Sequence, residues 1–481
     1  MDRGTWKKLR GTMLVGAVLM AGAGGSWSSP AAAETEHTAA EQDKRIAALE
    51  KRLAELEALL KKALESTSSL EVAELKRQLD LLTKELEKAK LGEAAQPSTL
   101  ESRYGLGPAA SKVYGETQGV SIGGYGETLY QDFAAENQSG ERTGEQPVAD
   151  YLRAVLYFGY RFNDTILFNS EIEIEHATTG EGAEEKGEVS LEFGTVDFLL
   201  SKPGNVRTGL FLVPVGFLNE MHEPTTFLGA RRPDVETQVL PTTWRELGVG
   251  GFGNVGPFAY RGYVSTSLDA AGFTAENLRG GRQSGSNAIA RDLAYSARGD
   301  FLGVPGLLAG ASFSVGDTGQ GAETAAGDVI GGKVTLYDVH AEYLFRGLIV
   351  RGLWTAISVD DAFEINTDIL GLDPSIPAEA SEGVGSRLTG WYLLAGYDVL
   401  ALAGESTKQA LIPFVRYERY DTQDQVPTGF TSTGANDVKL ITYGVTWMPI
   451  LNLAIKADFQ DYDRGDGSGV NQVNASVGYV F

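Results

Sequence analysis

The 481-residue chain has no cysteine and only four histidines, His37, His176, His222 and His340. The first absence excludes disulfides, thiolate catalysis and Cys-ligated zinc together. It leaves the compartment open, since an oxidising space does not require disulfides. With so few imidazoles, and His37 outside the region richest in structure, a Ser–His–polar triad has little to draw on, so no enzyme is expected. No run of 18 or more apolar residues occurs beyond the N-terminus, which argues against membrane-spanning helices. Basic residues are also short, 41 against 64 acidic, for a net charge of −23. That balance argues against nucleic acid as a partner. The surplus is localised: residues 1–33 carry +3, 34–40 carry −2, 41–91 are neutral, and 92–481 carry −24.

What is present begins with a targeting segment. Arg3, Lys7, Lys8 and Arg10 precede the apolar run Gly11 to Ala23, and Ala31 and Ala33 occupy A-x-A positions. Residues 1–33 therefore read as a secretory signal peptide. Residues 34–91 follow as a periplasmic helical region. Within it Ile46, Leu49, Leu53, Leu56, Leu60 and Ala63 keep a three–four spacing, which Leu75, Leu79, Leu82, Leu86 and Ala89 resume after a break. This is coiled-coil spacing, open to two or three strands. Residues 92–116, with Gln96-Pro-Ser and Gly105-Leu-Gly-Pro108, read as a linker.

From residue 117 to 481 the period changes to two. In the final segment Val473, Ala475, Val477, Tyr479 and Phe481 share one parity, and Gln472, Asn474, Ser476 and Gly478 the other. Sixteen such segments begin near 117, 149, 164, 189, 205, 245, 257, 290, 305, 331, 347, 386, 409, 436, 450 and 470. Short Gly, Pro or Asn turns join alternate pairs, and long polar stretches join the others. The expected fold is an all-β transmembrane barrel of about 16 antiparallel strands, with short turns in the periplasm and long loops outside. The terminal Phe481 resembles the assembly signal of bacterial outer-membrane proteins.

Parity also assigns an interior. Arg153, Arg161, Glu171, Glu173, Glu175, Arg261, Arg298, Asp338, His340, Glu342, Arg416, Glu418, Lys456 and Asp458 are expected to line the lumen. Such a mixture suits a water-filled pore, in which facing charges set a transverse field. The same residues could equally pair into salt bridges that brace the wall.

One segment breaks the pattern. Residues 213–248 contain four prolines and cannot be a plain strand. They follow the fifth strand with Val213-Pro-Val-Gly, then Asn219-Glu, then a loop holding Arg231 and Arg232. In this the chain resembles the phosphate-selective porin O and P family. The resemblance implies a trimeric anion channel with basic side chains at its constriction, here Arg231, Arg232 and Arg245. It implies likewise a three-stranded N-terminal coiled coil. The strong acidity departs from the family pattern. Glu220, His222 and Glu223 share the loop, and a metal site built from them is a weaker alternative.

Residues 360–385 hold seven carboxylates and no basic residue. They read as a solvated loop, or as a surface site where Ca2+ or Mg2+ bridges to lipopolysaccharide; no other cofactor is expected. Two functions are open. The first is an outer-membrane porin passing small hydrophilic solutes or ions. The second is an envelope tether, anchored by the barrel and reaching into the periplasm through residues 41–91.

Overall fold

A computed structural model describes Ala48, Lys51, Arg52 and residues 101–178, 187–403 and 409–481. The chain divides into two units, Met1–Lys90 and Leu91–Phe481. In the first, the three described residues are helical and exposed; the signal peptide and the rest of the coiled-coil pattern lie outside the described residues.

The second unit is a closed antiparallel barrel of sixteen strands in sequential order. Its first half comprises β1 (Gly119–Phe133), β2 (Val148–Arg161), β3 (Ile166–Glu175), β4 (Val189–Ser201), β5 (Gly204–Leu212), β6 (Arg245–Val255), β7 (Phe258–Thr266) and β8 (Leu293–Phe301). The second half comprises β9 (Leu307–Gly316), β10 (Val334–Phe345), β11 (Leu348–Val359), β12 (Arg387–Tyr397), β13 (Ala410–Gln425), β14 (Asp437–Ile450), β15 (Leu453–Arg464) and β16 (Gln472–Val480). No strand starts more than three residues from its sequence-based position; β8, expected near 290 and found at Leu293, is among the largest differences. The agreement has a local cause: period-two alternation and turn chemistry are both written within a few residues.

The alternation is realised as two surfaces. On β2, Leu156 and Phe158 face out and are exposed, while Arg153, Val155 and Tyr157 face in and are buried. Outward Ile172, Leu247, Val339, Leu393, Val415, Ile441 and Val477 extend that exposed apolar surface around the wall. A continuous band of this kind is unfavourable in water and suits hydrocarbon. Near the short-turn end it carries a row of aromatics, including Phe162, Phe258, Phe345, Trp447 and Tyr479.

Closure is made where β1 pairs with β16, Tyr125 opposite Val480 and Glu127 opposite Gly478. The Phe481 amide and carbonyl both bond to Gly124. The Phe481 ring lies over the outer side of this glycine. A Cβ added at Gly124 would sit 2.3 Å from the Val155 carbonyl oxygen and 2.7 Å from the ring. Gly124→Val is therefore expected to destabilise the seam by about 1–3 kcal/mol, as overpacking does. The folded-to-unfolded band shift on a gel should move to lower temperature. Gly299→Val, whose Cβ meets nothing within 4 Å, should leave it unchanged.

The lumen is far from empty. The segment expected as a linker is, over residues 104–114, packed inside the barrel and carries a 3-10 helix over Lys112–Gly115. Two long connections also fold inward: residues 213–244 between β5 and β6, and residues 267–283 between β7 and β8. The second reaches across to β13 and the turn before β14, where the Ala275 carbonyl accepts bonds from Thr422 Oγ1 at 2.8 Å and Asn436 Nδ2 at 3.2 Å.

Candidate pore constriction

The inserted loop 213–244 is held at its base by one side chain. Asn219 Nδ2 donates to the carbonyls of Val213 (2.7 Å) and Trp244 (3.0 Å), and its Oδ1 accepts from the Trp244 amide (2.8 Å). A single amide thus closes a stretch whose prolines remove it from the sheet. Beyond this base, the loop is bonded to much of the surrounding wall. The Gly216 amide donates to Asp338 on β10 at 3.0 Å. Glu236 accepts from the amides of Phe217 and Leu218 and from Tyr392 Oη on β12, all at 2.7–2.8 Å. The Val235 amide reaches Glu418 on β13, and the Ala230 amide reaches Asp458 on β15. Arg351 of β11 donates to the Thr226 carbonyl at 3.0 Å.

These bonds revise the expected interior. Most of the charged positions assigned to the lumen do face inward, but as partners of the loop or of each other. Arg416 pairs with Glu418 at 2.6 Å, and Arg351 with Glu342. Arg298 and Arg261 both meet Asp300 at 2.9 Å, and His340 bridges Asp300 (2.9 Å) and Asp338 (2.6 Å). Lys456 points its ammonium at the Phe227 ring, 3.7 Å from the centroid. Arg161 lies at the short-turn rim, donating to the carbonyls of Tyr114, Asn163 and Asp164. Beside these charges, the inner faces of β10–β12 also carry apolar positions. Leu336, Leu353, Ile357, Leu388 and Leu394 pack there against Val213, Val235, Val239 and Leu240 of the loop. Parity alone marks these leucines as inward, but not that a loop covers them.

The expected constriction residues separate into three places. Arg245 is the first residue of β6, buried and fixed to Glu192 at 2.5 Å, so it belongs to the wall. Glu220, His222 and Glu223 diverge. Glu220 meets Arg261 at 3.0 Å, while Glu223 accepts the amides of Ala109 and Ala110. His222 Nδ1 faces the Asn219 carbonyl and must donate, which leaves Nε2 sharing a proton with Glu171 Oε1 at 3.1 Å. Among the described residues no group of His, Asp and Glu is arranged to hold a metal. In 360–385, Asp361, Asp368 and Glu379 each accept a backbone amide.

Arg231 and Arg232 behave differently. Arg232 makes two long bonds, to Thr242 Oγ1 (3.4 Å) and the His222 carbonyl (3.3 Å). Both arginines line a 240 Å³ cavity beside β1 and β2, together with Arg153 and Arg279, and among the described residues Glu127 and Glu175 are its only carboxylates. Arg153 lies 3.6 Å from both Glu127 and Glu173. Arg231 also lines a second, 420 Å³ cavity toward the long loops, with Asp234, Glu276 and Arg464. Across the loop, a 500 Å³ cavity is lined by Arg103, Tyr104, Glu220, Arg261, Arg298 and Asp300. Arg279, on the second infolded connection, had no sequence signal beyond its Leu-Arg-Gly-Gly-Arg setting.

Comparison with known proteins agrees on the architecture. No family model matches the chain. OmpF of Salmonella typhi, solved in complex with daunomycin, superposes with a TM-score of 0.51 at 11% identity, over 77% of this chain and 99% of that one. This is a likeness of fold. The anion-selective porin of Comamonas acidovorans superposes with a TM-score of 0.43 at 13% identity, over 75% of this chain and 99% of that one. In sequence, a protein of Aquifex aeolicus (strain VF5) named only as uncharacterized is 35% identical over 392 residues, covering 81% of this chain and 86% of its own. At that identity and coverage, the chain belongs to the same family as the Aquifex aeolicus protein.

Proposed function

We propose that this chain is an outer-membrane porin, a passive water-filled channel for small hydrophilic solutes that favours anions, phosphate among them. The observation that carries the anion preference is the 240 Å³ cavity, where Arg153, Arg231, Arg232 and Arg279 face two carboxylates in a chain of net charge −23. A cluster against the overall sign concentrates anions locally, and low-dielectric walls focus its field. Membrane residence is supported by the outward apolar band with its aromatic row. A homotrimer in contact with lipid and lipopolysaccharide fits the porin fold and forms part of this proposal. The tether role rests on residues 41–91, outside the described residues except for three positions. Reversal potential in a planar bilayer under a KCl gradient tests the proposal. A chloride-directed reversal is expected, and a potassium-directed one would mean that the global acidity governs permeation.

A further inference from the structure

The wall of the barrel is shaped to receive residues 101–116. On the inner side of β1 and β2, two positions have no side chain, Gly123 and Gly159. A Cβ at Gly159 would lie 2.8 Å from Val113 Cβ, and one at Gly123 would lie 2.9 Å from the Ala109 carbonyl oxygen. The segment answers with small residues of its own. Gly107 would collide with Glu223 if it carried a Cβ, and Ala109 and Ala110 are buried. Leu106, Val113 and Tyr114 pack on Tyr125, Tyr157, Leu167 and Phe193.

Polar contacts fix the seat at three further points. Tyr114 Oη donates to Asp197 at 2.6 Å and accepts from Arg207 at 2.7 Å. Asn169 Nδ2 donates to the Ala110 carbonyl at 2.9 Å. The inserted loop contributes the third: Glu223 accepts the Ala109 amide at 2.9 Å and the Ala110 amide at 3.1 Å. The segment therefore touches both wall and loop at the short-turn end, and Arg103, Tyr104 and Gly105 form part of the boundary of the 500 Å³ cavity there.

We infer that residues 101–116 are a lumenal stopper that sets the size limit of the pore on its short-turn side. The assignment rests on the channel reading above and goes beyond it. A segment that merely passed the barrel would need neither inward glycines at its points of contact nor a carboxylate from the constriction loop on its amides. Seated, it fills space that solute would otherwise cross.

The test uses full-length chains with an untouched barrel wall or a single wall change. Ala109→Glu/Ala110→Glu puts two carboxylates where there is no room, against Glu223, and should evict the segment. Single-channel conductance is then expected to rise roughly two-fold or more, as pore cross-section grows. The Val113→Cys/Gly159→Cys pair introduces the only thiols in the chain, and a shift of about 1 Å brings them to bridging distance. It should cross-link in folded barrels and hold conductance at the wild-type level. The stopper is overturned if the eviction variant, shown folded by its gel shift, conducts like wild type, or if the thiols fail to cross-link. Wild-type conductance in both variants would remove the stopper and leave the channel. Silence in wild type and variants alike would remove both. A silent wild type with a conducting eviction variant would support a stopper that closes the pore fully.

Discussion

Asp300→Ala is expected to destabilise the barrel by about 3–5 kcal/mol, the range for removing one partner from a buried ionic cluster. Asp300 is buried on β8 and accepts from Arg261 Nη2, Arg298 Nε and His340 Nε2, each within 3.0 Å. Among the described residues, removing it leaves Arg298 with the Gly216 carbonyl as its one remaining hydrogen-bond partner, and Arg261 with Glu220 alone. Both survivors belong to the inserted loop, so the two arginines that hold the loop lose the carboxylate that fixes them to the wall. Asp300→Asn keeps one carbonyl acceptor and should cost less. The temperature of the folded-to-unfolded gel shift reads both variants, and an unshifted Asp300→Ala would show that the cluster contributes nothing.

The second large effect concerns selectivity. Arg231→Glu/Arg232→Glu changes the charge of the loop by four where it meets the 240 Å³ cavity. The anchors of the loop, Asn219, Glu236 and Gly216, are untouched, and the bonds lost with Arg232 are both longer than 3.2 Å. The loop should stay anchored but lose some stability, because the new carboxylates face Asp234 and Glu127, while the anion-to-cation permeability ratio falls roughly ten-fold or more. The reversal potential should change sign. Arg245→Gln gives the contrast: this residue is bound to Glu192 in the wall, so its loss should lower stability more than it alters selectivity.

The contrast between Arg245 and Arg231 also marks what could be read from sequence. Strand parity placed Arg153, Glu171, Asp338, Arg416 and Lys456 on the inner face, because a two-residue period needs no knowledge of distant chain. It could not say which of them meet solvent. That depends on the path of the inserted loop, whose anchors Asp338, Glu418 and Asp458 lie 122, 183 and 228 residues from the amides they bind. The family resemblance assigns Arg245 to the constriction, yet the start of β6 turns it onto Glu192. The stopper was the least legible element. Its sequence has the Gly and Pro content of a linker, and its burial is decided by Gly123 and Gly159 in strands that follow it.

The proposed pore is narrow, since the inserted loop packs on apolar positions of β10–β12 and residues 104–114 pack against β1–β5. The most direct measurement is swelling of liposomes that contain the purified full-length protein, placed in isosmotic solutions of small sugars and potassium salts. Swelling that falls off with solute size and exceeds that of protein-free liposomes is the expected result. Liposomes holding folded barrels that swell no faster than protein-free ones, for every solute down to the smallest, would contradict the channel.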